Sequence, residues 1–255
     1  MITPVRHPFF DRPVPLAFAH RGGAADGLEN TVTAFRRATD LGYVYLETDV
    51  HTTSDGTLLA FHDTTLDRVT DGAGRIADLP WSEVRQARVG GVEPIPRFEE
   101  LLEAFPAARW NVDVKTESAL LPLLGLIRRT GAWDRVCVGS FSEGRVRRAQ
   151  RLGGPRLATS LGTSGALALR LRACGLPVAP RRSALCAQVP EHHGRVRLVD
   201  AAFVRAAHRR GLQVHVWTVN EAARMERLLD LGVDGIMTDH TGTLREVLQH
   251  RGQWD

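Results

Sequence analysis

Five short polar clusters stand at the ends of apolar, β-rich runs: His20-Arg21, Glu29-Asn30, Glu47-x-Asp49, His62-Asp63 and Asp113-x-Lys115. Side chains on a strand alternate between its two faces, so Glu47 and Asp49 point the same way, as do Asp113 and Lys115. Convergent carboxylates repel one another unless a cation lies between them. The set therefore reads as an oxygen-ligand site for a divalent cation, for which Mg²⁺ and Ca²⁺ are both suited. Two histidines, an arginine and a lysine beside such a site suit phosphate ester chemistry. The lysine is informative in itself, because Lys and Arg together number 33 and Lys115 is the only lysine. A compact ammonium and a planar guanidinium are not interchangeable at a tight anion site.

Each cluster also has a plain structural reading. His20 suits a turn, Glu47 and Asp49 a solvated strand end, and Asp63 a turn beside an exposed histidine; Asn30 is placed to N-cap the first helix. Their common placement favours chemistry, which becomes clear from the elements that carry them. Strand candidates fall at Val14 to Ala19, Tyr43 to Val50, Trp110 to Lys115, Val136 to Ser140, Arg156 to Ser160, Ala184 to Val189, Gln213 to Val219 and Gly235 to Thr238. Helical patterns intervene at Thr31 to Leu41, Arg97 to Phe105, Ser118 to Thr130, Glu143 to Leu152, Ser164 to Cys174, Asp200 to Arg210, Asn220 to Leu231 and Thr243 to Arg251. Eight strands alternating with eight helices predict an α/β fold, the TIM (β/α)8 barrel. Active sites of that fold lie at the C-terminal ends of its strands. His20, Arg21, Glu47, Asp49, Asp113, Lys115 and Trp217 would then share one mouth, with Trp217 as a wall for an alcohol group.

The segment from His51 to Pro96 breaks the alternation. Ser54-Asp55-Gly56 supplies a hairpin turn, and Asp71-Gly72, Gly74, Pro80 and Gly90-Gly91 make the remainder turn-rich. Its place after the second strand predicts a small insertion, roughly 51–96, that borders the active face within a single domain spanning 1–255.

A length of 255 residues and a formal charge of +4 suit a globular protein and do not imply nucleic-acid binding. The basic stretches Arg145 to Arg151 and Arg205 to Arg210 read as solvated helix faces. Cys137, Cys174 and Cys186 are odd in number and lack C-x-x-C spacing, which reads as reduced thiols in a cytoplasmic protein. The start of the chain (Pro4, His7, Pro8, Asp11, Pro13) has no leader-like pattern, and no apolar run approaches 20 residues. Neither a signal peptide nor a membrane span is expected. His51, His192, His193 and His208 read as structural or exposed, and His215 and His240 lie near the sheet and mouth without a role.

The runs AHRGG, LENT, LETDV, TSDGTLLAFHD, IPRFEELL, NVDVK, VWTVN and GVDGIMTD resemble, in order and across nearly the whole chain, the glycerophosphodiester phosphodiesterase family. The resemblance implies a TIM barrel with a hairpin-bearing insertion after its second strand. It also implies hydrolysis of glycerophosphodiesters such as glycerophosphocholine and glycerophosphoethanolamine to glycerol 3-phosphate and an alcohol. Carried over, His20 and His62 correspond to the acid/base pair, Glu47, Asp49 and Asp113 to metal ligands, and Arg21 and Lys115 to phosphate contacts. Two positions depart from the family pattern. Leu28 stands where proline is usual, and Asp113 replaces the usual glutamate and is one methylene shorter, so that it would reach the metal either directly or through a water.

Two rival readings keep the barrel. A lysophospholipase D-like enzyme would need an apolar trough, for which the insertion offers Leu79, Trp81, Val84, Val89 and Val92. A silent barrel that binds a phosphorylated metabolite should have lost a histidine or a ligand, yet His20, His62, Glu47, Asp49 and Lys115 are all present.

Overall fold

The computed structural model describes residues 7–180 and 183–254, so Pro4 falls outside the described residues. Eight barrel strands follow the sequence pattern: β1 (Leu16–Ala19), β2 (Tyr45–Thr52), β3 (Arg109–Val114), β4 (Val136–Gly139), β5 (Ala158–Thr159), β6 (Cys186–Pro190), β7 (Gln213–Trp217) and β8 (Gly235–Thr238). They pair in parallel in the order β5-β4-β3-β2-β1-β8-β7-β6. A parallel bridge from Ser160 to Cys186 joins the two ends, giving a nearly closed barrel. Around it lie α1 (Val32–Asp40), α2 (Phe98–Ala104), α3 (Glu117–Thr130), α4 (Glu143–Gly153), α5 (Thr163–Ala173), α6 (Ala201–His208), α7 (Ala222–Asp230) and α8 (Thr241–His250).

Element ends differ from the sequence pattern where local chemistry intervenes. The fifth strand shrinks to two residues because Gly154–Arg156 forms a 3-10 turn ahead of it. Asn30 does not cap α1. Thr31 does, its Oγ1 accepting from the Ala34 N–H at 3.1 Å while Asn30 adopts a left-handed φ of 60°. Ser142 and Asp200 cap their helices in the same way, their side chains accepting from Arg145 N and Phe203 N.

The main core lies between strands and helices. There Phe35, Phe98 and Phe105 pack edge-on around Trp110 at ring separations of 4.9, 5.6 and 6.1 Å. A second cluster, including Phe9, Phe10, Phe18, Tyr45, Cys137 and Cys186, fills the N-terminal end of the barrel. The short turn Pro8–Phe10 plugs that end, with Phe9 O accepting from Tyr45 Oη at 2.8 Å and Arg109 Nη1 at 2.9 Å. The opposite end is left free for polar groups.

The insertion folds on a core of its own. β2 runs past the barrel to Thr52 and turns at Gly56, pairing antiparallel with Leu58–Ala60. Leu59, Phe61, Leu66, Ile76, Val84, Ala87, Val89 and Ile95 are buried together, with Leu79 and Trp81 packed against them. Of the five residues offered for an apolar trough, Val84 and Val89 are buried in this small core, Leu79 and Trp81 are half-buried against it, and Val92 is exposed.

Candidate active site

The site begins with a strained turn. β1 delivers His20 and Arg21 into a 3-10 turn in which Arg21 adopts φ 51°, a conformation that costs a non-glycine residue about 1 kcal/mol. Two bonds hold it: the Arg21 N–H donates to Glu47 Oε2 at 3.1 Å, and its carbonyl accepts from Asn30 N at 2.8 Å. Gly22 follows at φ 85°, where a Cβ would lie 2.9 Å from that of Ala34, so AHRGG reflects close packing of the turn on α1. Asn30 braces the far side, its Oδ1 accepting from Thr48 Oγ1 at 2.7 Å.

Strand register then sets the charges abreast. Asp49 and Asp113 are partners across β2 and β3, and Lys115 Nζ bridges them at 2.8 and 2.7 Å. Arg21 lies between Asp49, at 3.2 Å from its Nε, and Glu29, at 3.0 Å from its Nη1. Glu47 is buried and pushed up to about 7, first by burial and then by the charge of Asp49. Burial also acts on Asp49, but Lys115, Arg21 and His62 prevail and hold it below the usual carboxylate range. Asp113 is raised by burial and by Asp49, against the pull of Lys115.

Both histidines are oriented through Nδ1. That of His20 lies 2.6 Å from Asp239 Oδ1, directly after β8, and Asp239 is held in turn by Asn220 Nδ2 at 2.8 Å. Burial depresses the His20 pKa, yet Glu47 and the Asp239 contact outweigh it and the net shift is upward. His62 Nδ1 lies 2.5 Å from Asp63 Oδ1, and the carbonyl of His62 lies 3.0 Å from His51 Nε2. Burial lowers the His51 pKa, which favours a neutral ring that donates this bond. Each arrangement leaves Nε2 of His20 and His62 available for proton transfer.

All eight predicted site residues join one contact network. His20, Arg21, Glu47, Asp49, Asp113 and Lys115 form its centre. His62 connects through Asp63, Arg68 and Glu29 to Arg21. Trp217, last in β7, packs edge-on against exposed Phe141 at 5.6 Å, and Lys115 Nζ lies 5.5 Å from the Phe141 ring centre. Glu29 is engaged by Arg21 and Arg68 rather than by the central carboxylates.

Sequence reasoning missed Asp239, Asn220, His51, Arg68 and Phe141. A polar residue directly after β8 was the available signal for Asp239. Arg145 departs from its expected solvated face, because its guanidinium turns inward to Val114 O at 2.8 Å and Ser140 Oγ at 2.7 Å. His208 pairs with Asp234, His215 is buried inside the barrel, and His192, His193 and His240 are exposed.

The donor set bears on a cation. Among the described residues no three of His, Cys, Asp and Glu stand close enough together to hold an ion, since Arg21 and Lys115 lie among the carboxylates. Two observations nonetheless fit a cation there. Buried Asp49 Oδ2 has Arg21 Nε at 3.2 Å but accepts no hydrogen bond of good geometry, and Glu47 is driven toward its neutral form. The donors are hard oxygens of the kind Mg²⁺ and Ca²⁺ take.

A nearly closed (β/α)8 barrel with carboxylates, histidines, an arginine and a lysine gathered at the C-terminal ends of its strands has the layout of a barrel enzyme. Residues 20–243 match the model of the glycerophosphoryl diester phosphodiesterase family, and the chain belongs to that family as a phosphodiesterase enzyme. It is 43% identical over 245 residues to a probable glycerophosphodiester phosphodiesterase 2 of Mycobacterium tuberculosis, covering 94% of this chain and 93% of that protein. A glycerophosphodiester phosphodiesterase of Caldanaerobacter subterraneus subsp. tengcongensis is 31% identical over 93% of this chain and 99% of its own length. A phosphodiesterase of Oleispira antarctica, solved in complex with the product sn-glycerol-3-phosphate, shares the fold. Its TM-score is 0.80 at 23% identity, with 92% of this chain and 97% of that one covered.

Proposed function

We propose that this chain hydrolyses glycerophosphodiesters, among them glycerophosphocholine and glycerophosphoethanolamine, to glycerol 3-phosphate and an alcohol. The observation that carries the reading is one contact network that joins Arg21 and Lys115, both paired with Asp49, to two histidines that each have Nδ1 held by an aspartate. The Oleispira antarctica neighbour with its glycerol phosphate product supports the same substrate class.

Arg21 and Lys115 would turn from their carboxylates toward the phosphate and stabilise the anionic transition state. One histidine takes a proton at Nε2 from the nucleophile and the other gives one to the leaving alkoxide; a water as nucleophile yields glycerol 3-phosphate directly, whereas the neighbouring glycerol hydroxyl yields a cyclic phosphate first, which a water then opens. Asp239 and Asp63 hold the two rings in the tautomer this needs. Glu47, Asp49 and Asp113 would hold a divalent cation, Mg²⁺ or Ca²⁺. When bound it supplies Lewis-acid polarisation of a phosphate oxygen. Trp217 and Phe141 wall the side of the mouth next to Lys115 and suit the alcohol moiety.

Glycerol 3-phosphate release from glycerophosphocholine tests this, first with EDTA and then with added Mg²⁺ or Ca²⁺. Release restored by the cation, and lost in His20→Ala and His62→Ala, is the expected outcome. Full activity in either variant would sink the acid/base assignment.

A further inference from the structure

We infer that Arg68, carried by the insertion, is a positioning residue that aims His62 through Asp63 and ties it to Arg21 through Glu29. The inference rests on the roles of His62 and Arg21 given above.

Arg68 makes four bonds to two carboxylates. Nε donates to Asp63 Oδ2, and Nη2 to Asp63 Oδ1 at 3.1 Å. Nη1 donates to Glu29 Oε2 at 3.0 Å, and Nη2 also reaches Glu29 Oε1 at 2.7 Å. A single exposed ion pair contributes little, but one guanidinium engaging two carboxylates in bidentate fashion fixes both in orientation. Glu29 is buried and passes the constraint to Arg21 Nη1 at 3.0 Å. The alternating chain Arg21, Glu29, Arg68, Asp63, His62 thus runs from the candidate phosphate arginine to the second histidine.

His62 needs such support. Its side chain is 31% exposed at the end of a short hairpin strand, and its aspartate is the adjacent residue in the chain. An aspartate on a partly open turn can swing to solvent unless a second group holds it. Among the described residues Arg68 is the one arginine or lysine paired with Asp63. The backbone under Arg68 is itself fixed. Leu66 is buried in the insertion core, its N–H donates to Gly74 O at 3.0 Å, and Thr65 bridges to Arg75. The small core of the insertion therefore serves to present one guanidinium to the mouth.

The test compares Arg68→Gln, Arg68→Lys, Asp63→Asn and the double variant Asp63→Asn/Arg68→Gln, each checked for an unchanged thermal midpoint. Arg68→Gln should lower kcat for glycerophosphocholine by about 10- to 100-fold, the loss usual when a group that orients a reacting side chain is removed. Arg68→Lys should recover only part of it, because a point charge cannot make the double fork. In the Asp63→Asn background Arg68→Gln should cost clearly less than it does in the wild type, since its hold on His62 runs through Asp63 and only its link to Glu29 remains. Unchanged kcat in Arg68→Gln, or losses that multiply in the double variant, would overturn the inference. Histidine ¹⁵N spectra of wild type and Arg68→Gln decide the matter without turnover: an altered tautomer or titration of His62 supports the inference, and identical spectra refute it. Wild-type inactivity on every diester would refute the proposed function, while the spectral comparison would still decide whether Arg68 positions His62.

Discussion

Asp49 and Asp113 stand side by side as register partners of β2 and β3, and Lys115 Nζ lies within 2.8 Å of both. Two carboxylates abreast in a largely buried place repel one another, and the lone lysine of the chain is the cation that contacts both, with Arg21 on the far side of Asp49. Its compact ammonium fits between two strands where a planar guanidinium would demand a fork of acceptors. Lys115→Met should therefore lower kcat/KM by about 100-fold or more, the range seen on losing a preorganised oxyanion donor. It should also destabilise the fold by about 3 kcal/mol by leaving the pair uncompensated. Lys115→Arg should restore part of the stability and little of the activity. Urea melts with parallel rate measurements separate the two effects, and an Arg variant as active as wild type would contradict the argument from shape.

Asp239 reaches His20 across 219 residues of sequence. Asp239→Asn should keep the fold, because Asn220 still holds the position through its bond to the Asp239 N–H at 2.9 Å. It removes a negative charge that helps raise the His20 pKa against burial. The limb of the pH profile that reports His20 should then move to lower pH, with a fall in kcat of about 100-fold. A profile with neither limb displaced would separate Asp239 from the proton transfer.

The contrast between these two residues shows how far the sequence carries. Glu47, Asp49, Asp113 and Lys115 were legible because spacing by two on a strand fixes a shared face, and the eight apolar runs that carry the barrel are local features. The register that sets Asp49 against Asp113 is not local, and no spacing rule reveals it. Asp239, Arg68 and His51 act through partners distant in sequence or through a loop whose path depends on a small buried cluster. Asn30 shows a subtler limit. It and Thr31 are both good cap residues, and only the left-handed backbone at Asn30, which turns its amide toward Thr48, assigns the cap to Thr31.

A cation at Glu47, Asp49 and Asp113 should register in stability as well as in rate. Glu47 is held near neutral by burial and by Asp49, so a bound cation would stabilise its ionised form in the folded chain. Millimolar Mg²⁺ or Ca²⁺ at about 100 times its Kd adds about 2.7 kcal/mol, which raises the thermal midpoint of a chain this size by roughly 5 to 10 °C. Glu47→Gln and Asp49→Asn should lose most of that rise. A wild-type midpoint indifferent to both ions would reject these three residues as its ligands.

His215 gives the fold an acid sensitivity of its own. It is fully buried in the barrel, 4.9 Å from the Phe18 ring and 2.9 Å from Gln213 Oε1, and burial lowers its pKa to about 3. The folded chain thus resists a proton that the unfolded chain accepts near pH 6.5. The stability this group contributes is complete above about pH 6.5 and is lost as pH falls from there toward 3, at up to about 1.4 kcal/mol per pH unit. Burial shifts His51 the same way, so the two losses run together. His215→Leu should be less stable than wild type at pH 7, having given up the Gln213 bond, yet its midpoint should fall less steeply between pH 6.5 and 4. Parallel slopes for the two proteins across that window would show that His215 takes up its proton without unfolding the barrel.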